Sequence, residues 1–439
     1  MRDIVLSLLF VSTLPYALWH PYAGVLLWTW FSMMNPHKLT YGFASNAPFA
    51  AVAAAVTFIA LVITKDRVKF RLTGPVVLLL VFVAWMCATT AFAVHPAESW
   101  VQLNKVLKIQ LMTMIAIAVL HTRRHIELFL WVTALSVAFY GVKGGIFTIT
   151  TGGGGRVWGP PGGFIEGNNE LGLALVVIIP LLVFLRSTVD KTWMRHAMTL
   201  VIALCAASAL GTQSRGAMLA IASAGFVLWL RSQRKLLSGI LILVFAVLLV
   251  AFMPDTWSER MGTIKTYQDD GSAMGRINAW YMAFNVACDR FFGGGFAVYT
   301  ADLFAIYAPD PSNIKVAHSI YFSVLGEHGF VGLLLFLCVW FVAFRMAAKL
   351  RKRTRKEPEL QWVFYLCGMC QVALVGYGVG GAFLSLAYFD LPYNIFAVLV
   401  VLTRWLDLWR PGTVDPGVFP LSGWRTKKTV GAAKGWSKA

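Results

Sequence analysis

LGLALVVIIPLLVFLRSTVDKTWMRHAMTLVIALCAASALG, residues 171–211, sets two apolar runs on either side of a short loop carrying Arg186, Lys191 and Arg195. A run that is apolar on every face has no side to show to water. It suits a bilayer, whose hydrocarbon core takes about 20 apolar residues per helix. Lysines and arginines between two such runs stay on the cytoplasmic side. The same unit recurs along all 439 residues. With 58% hydrophobic residues, 13% charged and a mean hydropathy of +0.68, the composition excludes a soluble globular domain. It predicts one all-α polytopic integral membrane domain over 1–439. The net charge of +18 is spread over many short loops, which fits topology signals and anionic lipid contact rather than a nucleic-acid patch.

Twelve candidate spans follow: 4–34, 47–64, 75–92, 101–120, 126–150, 169–185, 196–211, 216–230, 236–253, 318–344, 361–388 and 393–409. The first is long for one helix, and Pro15 and Pro21 are expected to break it. Its N-terminal part resembles a signal peptide without a clear cleavage site, so it reads as an uncleaved span. Putting both termini in the cytoplasm leaves most of the 38 lysines and arginines there, with large groups at 345–356 and from Arg404 onward. Two outer segments stand out. Residues 151–168, TGGGGRVWGPPGGFIEGN, are too rich in Gly and Pro for a helix and predict a flexible loop. Residues 254–317 form a long loop. There Ser272 is expected to cap a surface helix with apolar positions Ile277, Trp280, Tyr281, Phe284 and Cys288, ending at Gly293–Gly295.

Arg215, Arg276 and His318 break the charge rule, since the topology puts all three on the outer face. Arg215 lies in GTQSRGA at the turn between two spans, Arg276 in the first turn of the surface helix, and His318 where the long loop returns to the membrane. An arginine always carries charge and presents a planar fork that matches phosphate oxygens. A histidine that is neutral near pH 7 accepts a proton. Together they suit an anionic leaving group and a general base. Singly, Arg215 also suits headgroup snorkelling, and His318 an interfacial hydrogen bond. Arg276 near a helix N-terminus opposes the helix dipole, so helix stability does not explain it.

The motifs SRGA (214–217), GR-x-x-x-W (275–280) and HS-x-x-x-x-x-x-x-E-x-G (318–329), in this order around a late outer loop, resemble the O-antigen ligase superfamily. That superfamily also contains O-antigen polymerases and protein O-oligosaccharyltransferases. MNPHKLTYGF (34–43) and GPPGGFIEGNNELGLAL (159–175) are similar to its exosortase-associated O-glycosylation ligase branch. The resemblance implies a GT-C-like bundle at the bacterial inner membrane, working at its periplasmic face without metal or cofactor. The donor would be a glycan on undecaprenyl diphosphate and the acceptor a sugar hydroxyl of lipid A–core oligosaccharide. Arg215 and Arg276 would bind the diphosphate, and His318 would take the hydroxyl proton in an inverting single displacement. A second lipid-linked glycan or a protein side chain are the alternative acceptors. A transporter fits less well, because no internal repeat is evident and the candidate charges gather at one face.

Arg156, Lys315, Lys105 and Lys108 would add positive potential for the donor. Asn168, Asn169 and Glu170 open a span and equally suit a helix cap. Glu327 lies deeper, where an ionisable group needs a role or a partner such as His328. Asp390 closes the span that follows the basic block at 345–356. The scattered histidines and the six cysteines, Cys367-x-x-Cys370 included, make no closed metal site and no disulfide framework.

Overall fold

A computed structural model describes residues 1–64, 71–231 and 271–409, with isolated positions between 235 and 247. The described residues form helices and no β-strand. In chain order these are α1 Arg2–Trp19, α2 Pro21–Met34, α3 Phe49–Ile63, α4 Gly74–Ala91, α5 Pro96–Val119, α6 Arg123–Thr150 and α7 Asn168–Thr188. There follow α8 Thr192–Gly211, α9 Arg215–Arg231, α10 Gly271–Asp289, α11 Ala301–Tyr307, α12 Ile320–Thr354, α13 Gln361–Gly381 and α14 Asp390–Leu408. Among the described residues nine helices are long and apolar enough to cross a bilayer, namely α1, α4 to α8 and α12 to α14. The apolar α3 and α9 are shorter. The expected span at 236–253 and the loop residues 254–270 lie largely or wholly outside the described residues.

The apolar run that begins at Leu171 becomes α7, the central helix. Leu171, Leu173, Leu175, Val177, Ile178, Leu181, Leu182 and Leu185 occupy every side of it and all are buried. A helix that is apolar all round belongs inside a bundle. Glycines let its neighbours approach. A methyl on Gly172 would lie 2.8 Å from Ala217 of α9, and one on Gly380 of α13 would lie 2.6 Å from Leu173. On α6, Gly141, Gly144 and Gly145 present a stripe to Cys205, Ser208 and Leu204 of α8. Small residues at such contacts are the usual means of close packing where lipid removes the hydrophobic drive between helices.

At the N-terminus one expectation holds in part and another changes. The first apolar run is two antiparallel helices, parted at His20 just before Pro21, which begins α2, whereas Pro15 lies unbroken within α1. The Asp3 carboxylate accepts hydrogen bonds from the amides of Gly42 (3.0 Å) and Ala44 (3.1 Å), so α1 starts beside the loop that follows α2. That loop touches the Gly-rich segment through Asn35 at Gly163 and Lys38 at Gly162. At the other end of the bundle, Arg404 of α14 bonds to the Leu120 carbonyl and Arg353 to the Leu406 carbonyl. Arg2 and Leu408 therefore lie at opposite ends of the bundle, not at one end as the charge count required.

The long outer segment folds back into the bundle. α10 buries Ala279, Met282, Ala283 and Val286, while Tyr281, Phe284 and Cys288 stay exposed, against the expected apolar face. The reason is proximity, since a methyl on Gly326 of α12 would sit 3.0 Å from the Ala283 Cβ. Ser272 falls inside α10 rather than before it, and Arg276 is the sixth residue of the helix, in its second turn. α12 is broken at Gly329, whose φ of 67° and ψ of −172° are open to glycine alone. The break frees two carbonyls, and the extended chain after α10 takes them. The amides of Gly294 and Gly295 donate to Gly326 (2.8 Å) and Glu327 (3.0 Å). A side chain at Gly329 would also meet the Phe291 carbonyl at 2.5 Å. Gly329→Ala is accordingly expected to cost roughly 3 kcal/mol, seen as a lower thermal unfolding midpoint of the detergent-solubilised protein. An unchanged midpoint would rule this account out.

Candidate functional site

Five segments meet at the end of the bundle where α7 begins. The first is the turn from α8 into α9. Gln213 takes a left-handed φ of 53°, and the Ser214 hydroxyl accepts from the Ala217 amide at 3.2 Å, capping α9. This accounts for SRGA residue by residue. Ser214 is the cap, and Arg215 is the first helical residue. Gly216 is small because a Cβ would come within 3.1 Å of Phe383, and Ala217 packs on Gly172. A cation at a helix N-terminus opposes the helix dipole, so Arg215 is not placed there for helix stability.

The second segment is the first turn of α7. The Asn168 side chain donates to the Thr212 carbonyl at 2.8 Å and ties α7 to the turn bearing Arg215. The third is the Gly-rich segment before α7, which is anchored rather than free. Val157 and Ile165 are buried, the Val157 amide donates to the Gly211 carbonyl (3.0 Å), and the Gly162 amide donates to Glu166 (2.8 Å). Arg156 is exposed beside that junction.

The fourth and fifth segments are α10 and the strand of chain leading into α12. Asn278 knits them together, its side-chain amide donating to the carbonyls of Asp310 (2.8 Å) and Asn313 (3.1 Å). The Trp280 indole donates to the Ala317 carbonyl at 2.7 Å and stacks on Phe322 at 4.9 Å. Between these two fixed points His318 adopts a left-handed φ of 44°, unusual for a residue with a side chain. Its Nδ1 lies 4.0 Å from Glu170 Oε1 of α7. Burial and the charges of Arg276 and Lys315 pull the imidazole down to about 4 from its ordinary 6.5, so it is neutral at pH 7. Arg276 acts electrostatically on Glu170 as well. Lys315 stands against Gly275, next to Arg276.

The arrangement brings His318, Arg276, Lys315 and Glu170 into one cluster. Arg215 lies on its flank, linked through the first turn of α7 and through Phe383, whose ring is 6.5 Å from Trp280. Phe383 was hidden in the sequence. The span expected to run to 388 ends at Gly381, and residues 382–389 form an apolar turn over the site. Chemically, the cluster offers fixed positive charge beside a neutral base that is partly open to solvent.

Residues 200–337 match the family described as O-antigen ligase, and residues 1–190 match a family of unknown function, DUF5935. Residues 200–337 are thus an O-antigen ligase family domain. No curated protein matches the chain. Such a domain suggests a membrane enzyme of ligase or polymerase type, and Arg215, Arg276, Lys315 and His318 all fall within the match. Arg156 and Glu170 reach the same end of the bundle from the other matched segment.

The remaining candidates lie elsewhere. Lys105 and Lys108 are exposed on α5, and among the described residues no hydrogen bond or ion pair joins either to the cluster. Glu327 is buried in a separate polar group. It accepts from the Tyr388 hydroxyl at 2.5 Å and lies 3.9 Å from His328 Nε2, while His328 Nδ1 meets the Thr89 hydroxyl at 2.7 Å. Asp390 accepts from the Ser32 hydroxyl of α2 at 2.6 Å.

Proposed function

We propose that the chain is an O-antigen ligase that moves a glycan from undecaprenyl diphosphate to a sugar hydroxyl of lipid A–core oligosaccharide. The reaction runs at the periplasmic face of the bacterial inner membrane. The end of the bundle bearing His318 and Arg2 faces the periplasm, and the end bearing Arg353 and Arg404 faces the cytoplasm. The observation carrying this reading is the neutral His318 beside Arg276 within the O-antigen ligase match.

Arg215 and Arg276 hold the diphosphate and oppose the charge that grows on it as the glycosidic C–O bond breaks. The acceptor oxygen attacks the anomeric carbon from the opposite face, and His318 takes its proton. One bond forms as one breaks, the configuration inverts, and undecaprenyl diphosphate leaves with the electron pair. Arg156 and Lys315 raise the positive potential of the approach, and Lys105 extends it along the outer part of α5.

Complementation of a bacterium lacking its ligase is the test. Glycan ladders on lipid A–core are the expected result. Lengthened polymer or a glycosylated protein band without those ladders would reassign the acceptor to a polymerase or a protein ligase.

A further inference from the structure

The carboxylate that faces His318 comes from outside the O-antigen ligase match. Glu170 stands in the first turn of α7, within the segment that matches the family of unknown function. Among the described residues it is the one carboxylate within 4.0 Å of the His318 imidazole. We propose that Glu170 positions His318, holding the Nδ1–H on its Oε1 so that Nε2 is the nitrogen open to the acceptor hydroxyl. The proposal rests on the reading of His318 as the general base.

Three observations support it. First, His318 Nδ1 is buried and has no hydrogen-bond partner among the described residues. A buried polar atom left in that state is costly, and Glu170 Oε1 is the acceptor in reach. Apo geometry at catalytic pairs is often long and tightens when substrate binds, directly or through one water. Second, the carboxylate is held from behind. A methyl at Gly167 would lie 2.0 Å from Glu170 Oε2, so only glycine lets the carboxylate fold over the start of α7. There the helix dipole favours its negative charge. One oxygen is thus set at the helix end and the other faces His318.

Third, the charges around His318 are otherwise unfavourable to a base that must become positive. Arg276 from α10 and Lys315 from the segment before α12 both oppose the imidazolium. Glu170 from α7 is the carboxylate placed to meet that charge. The base-and-orienter pair has the logic of a nucleophile triad, with the third group fixing tautomer and ring direction. A role limited to capping α7 would leave His318 indifferent to the charge at position 170. Under this proposal the N-terminal segment supplies a working part of the site and is more than a scaffold.

The test uses the full chain in detergent with an undecaprenyl-diphosphate-linked glycan and lipid A–core. Glu170→Gln keeps the shape and removes the charge. It is expected to lower kcat roughly tenfold, with the donor KM and the unfolding midpoint unchanged. Glu170→Asp should recover part of the loss. A second readout needs no acceptor: carbethoxylation of His318 by diethyl pyrocarbonate, followed by peptide mass spectrometry, should slow several-fold in Glu170→Gln. Wild-type kcat and wild-type modification rate in that variant would overturn the proposal. A lower midpoint with a wild-type modification rate would reduce Glu170 to a helix cap. His318→Ala, run in parallel, separates the two claims. Full transfer by that variant removes the base itself, whereas a dead His318→Ala beside a normal Glu170→Gln removes only the positioning role.

Discussion

His318→Ala is expected to lower glycan transfer by about three orders of magnitude while leaving donor binding near its wild-type level. The imidazole is held by its neighbours, with Trp280 fixing the Ala317 carbonyl on one side and stacking on Phe322 on the other. Removing the ring therefore takes away the proton acceptor without dismantling the pocket. The pH dependence gives an independent check. His318 works as a base only when neutral, and burial together with Arg276 and Lys315 holds its pKa at about 4 rather than 6.5. Activity should persist through neutral and mildly acidic pH and fall as the pH drops through about 4. An acid limb near the ordinary histidine value, or transfer by the alanine variant at the wild-type rate, would remove the base assignment.

Arg276→Ala is expected to cost about 10²–10³ in kcat, the range found when one preorganised donor is taken from a developing anion. Arg276 acts on both His318 and Glu170, so its loss changes the charge on the leaving group and on the base together. Arg215→Ala should weaken transfer by a similar factor, with a larger share appearing in the donor KM because Arg215 stands on the flank of the cluster. Lysine at either position keeps the charge but loses the planar fork, and should rescue only partly. Single-turnover assays with the lipid-linked donor separate the two effects. Full activity of both lysine variants would rule out bidentate diphosphate binding.

The spans were legible because a helix that is apolar on all sides needs no partner to be recognised, as α7 illustrates. The same uniformity hid the ends of helices. In the run 4–34 Pro21 marks the reversal at His20 but Pro15 is an equal and false signal, and AFLSLAYF (382–389) is as apolar as the helix before it, with Gly380-Gly381 the single sign of a stop. The buried face of α10 was misread for a related reason. Large apolar residues suggested the inward side, but a close approach to Gly326 selects Ala283 and its small neighbours instead. Arg215, Arg276 and His318 were visible as charges out of place. The partnership of Glu170 with His318 was not, because it joins residues far apart in the chain, and periodicity carries no information about such a pair. Trp280 was in view within GR-x-x-x-W, yet its work as a strut under His318 emerged only from its bond to Ala317.

The α1–α2 hairpin bears on how the chain is assembled during synthesis. α1 has no seat of its own. Its Phe10 packs on Phe31 and Phe49, and its Asp3 is received by the amides of Gly42 and Ala44. All of these are made after it. A nascent chain stopped before about residue 50 presents α1 to lipid with its docking groups still in the ribosome, and the helix settles only once α2 has turned back and α3 has begun.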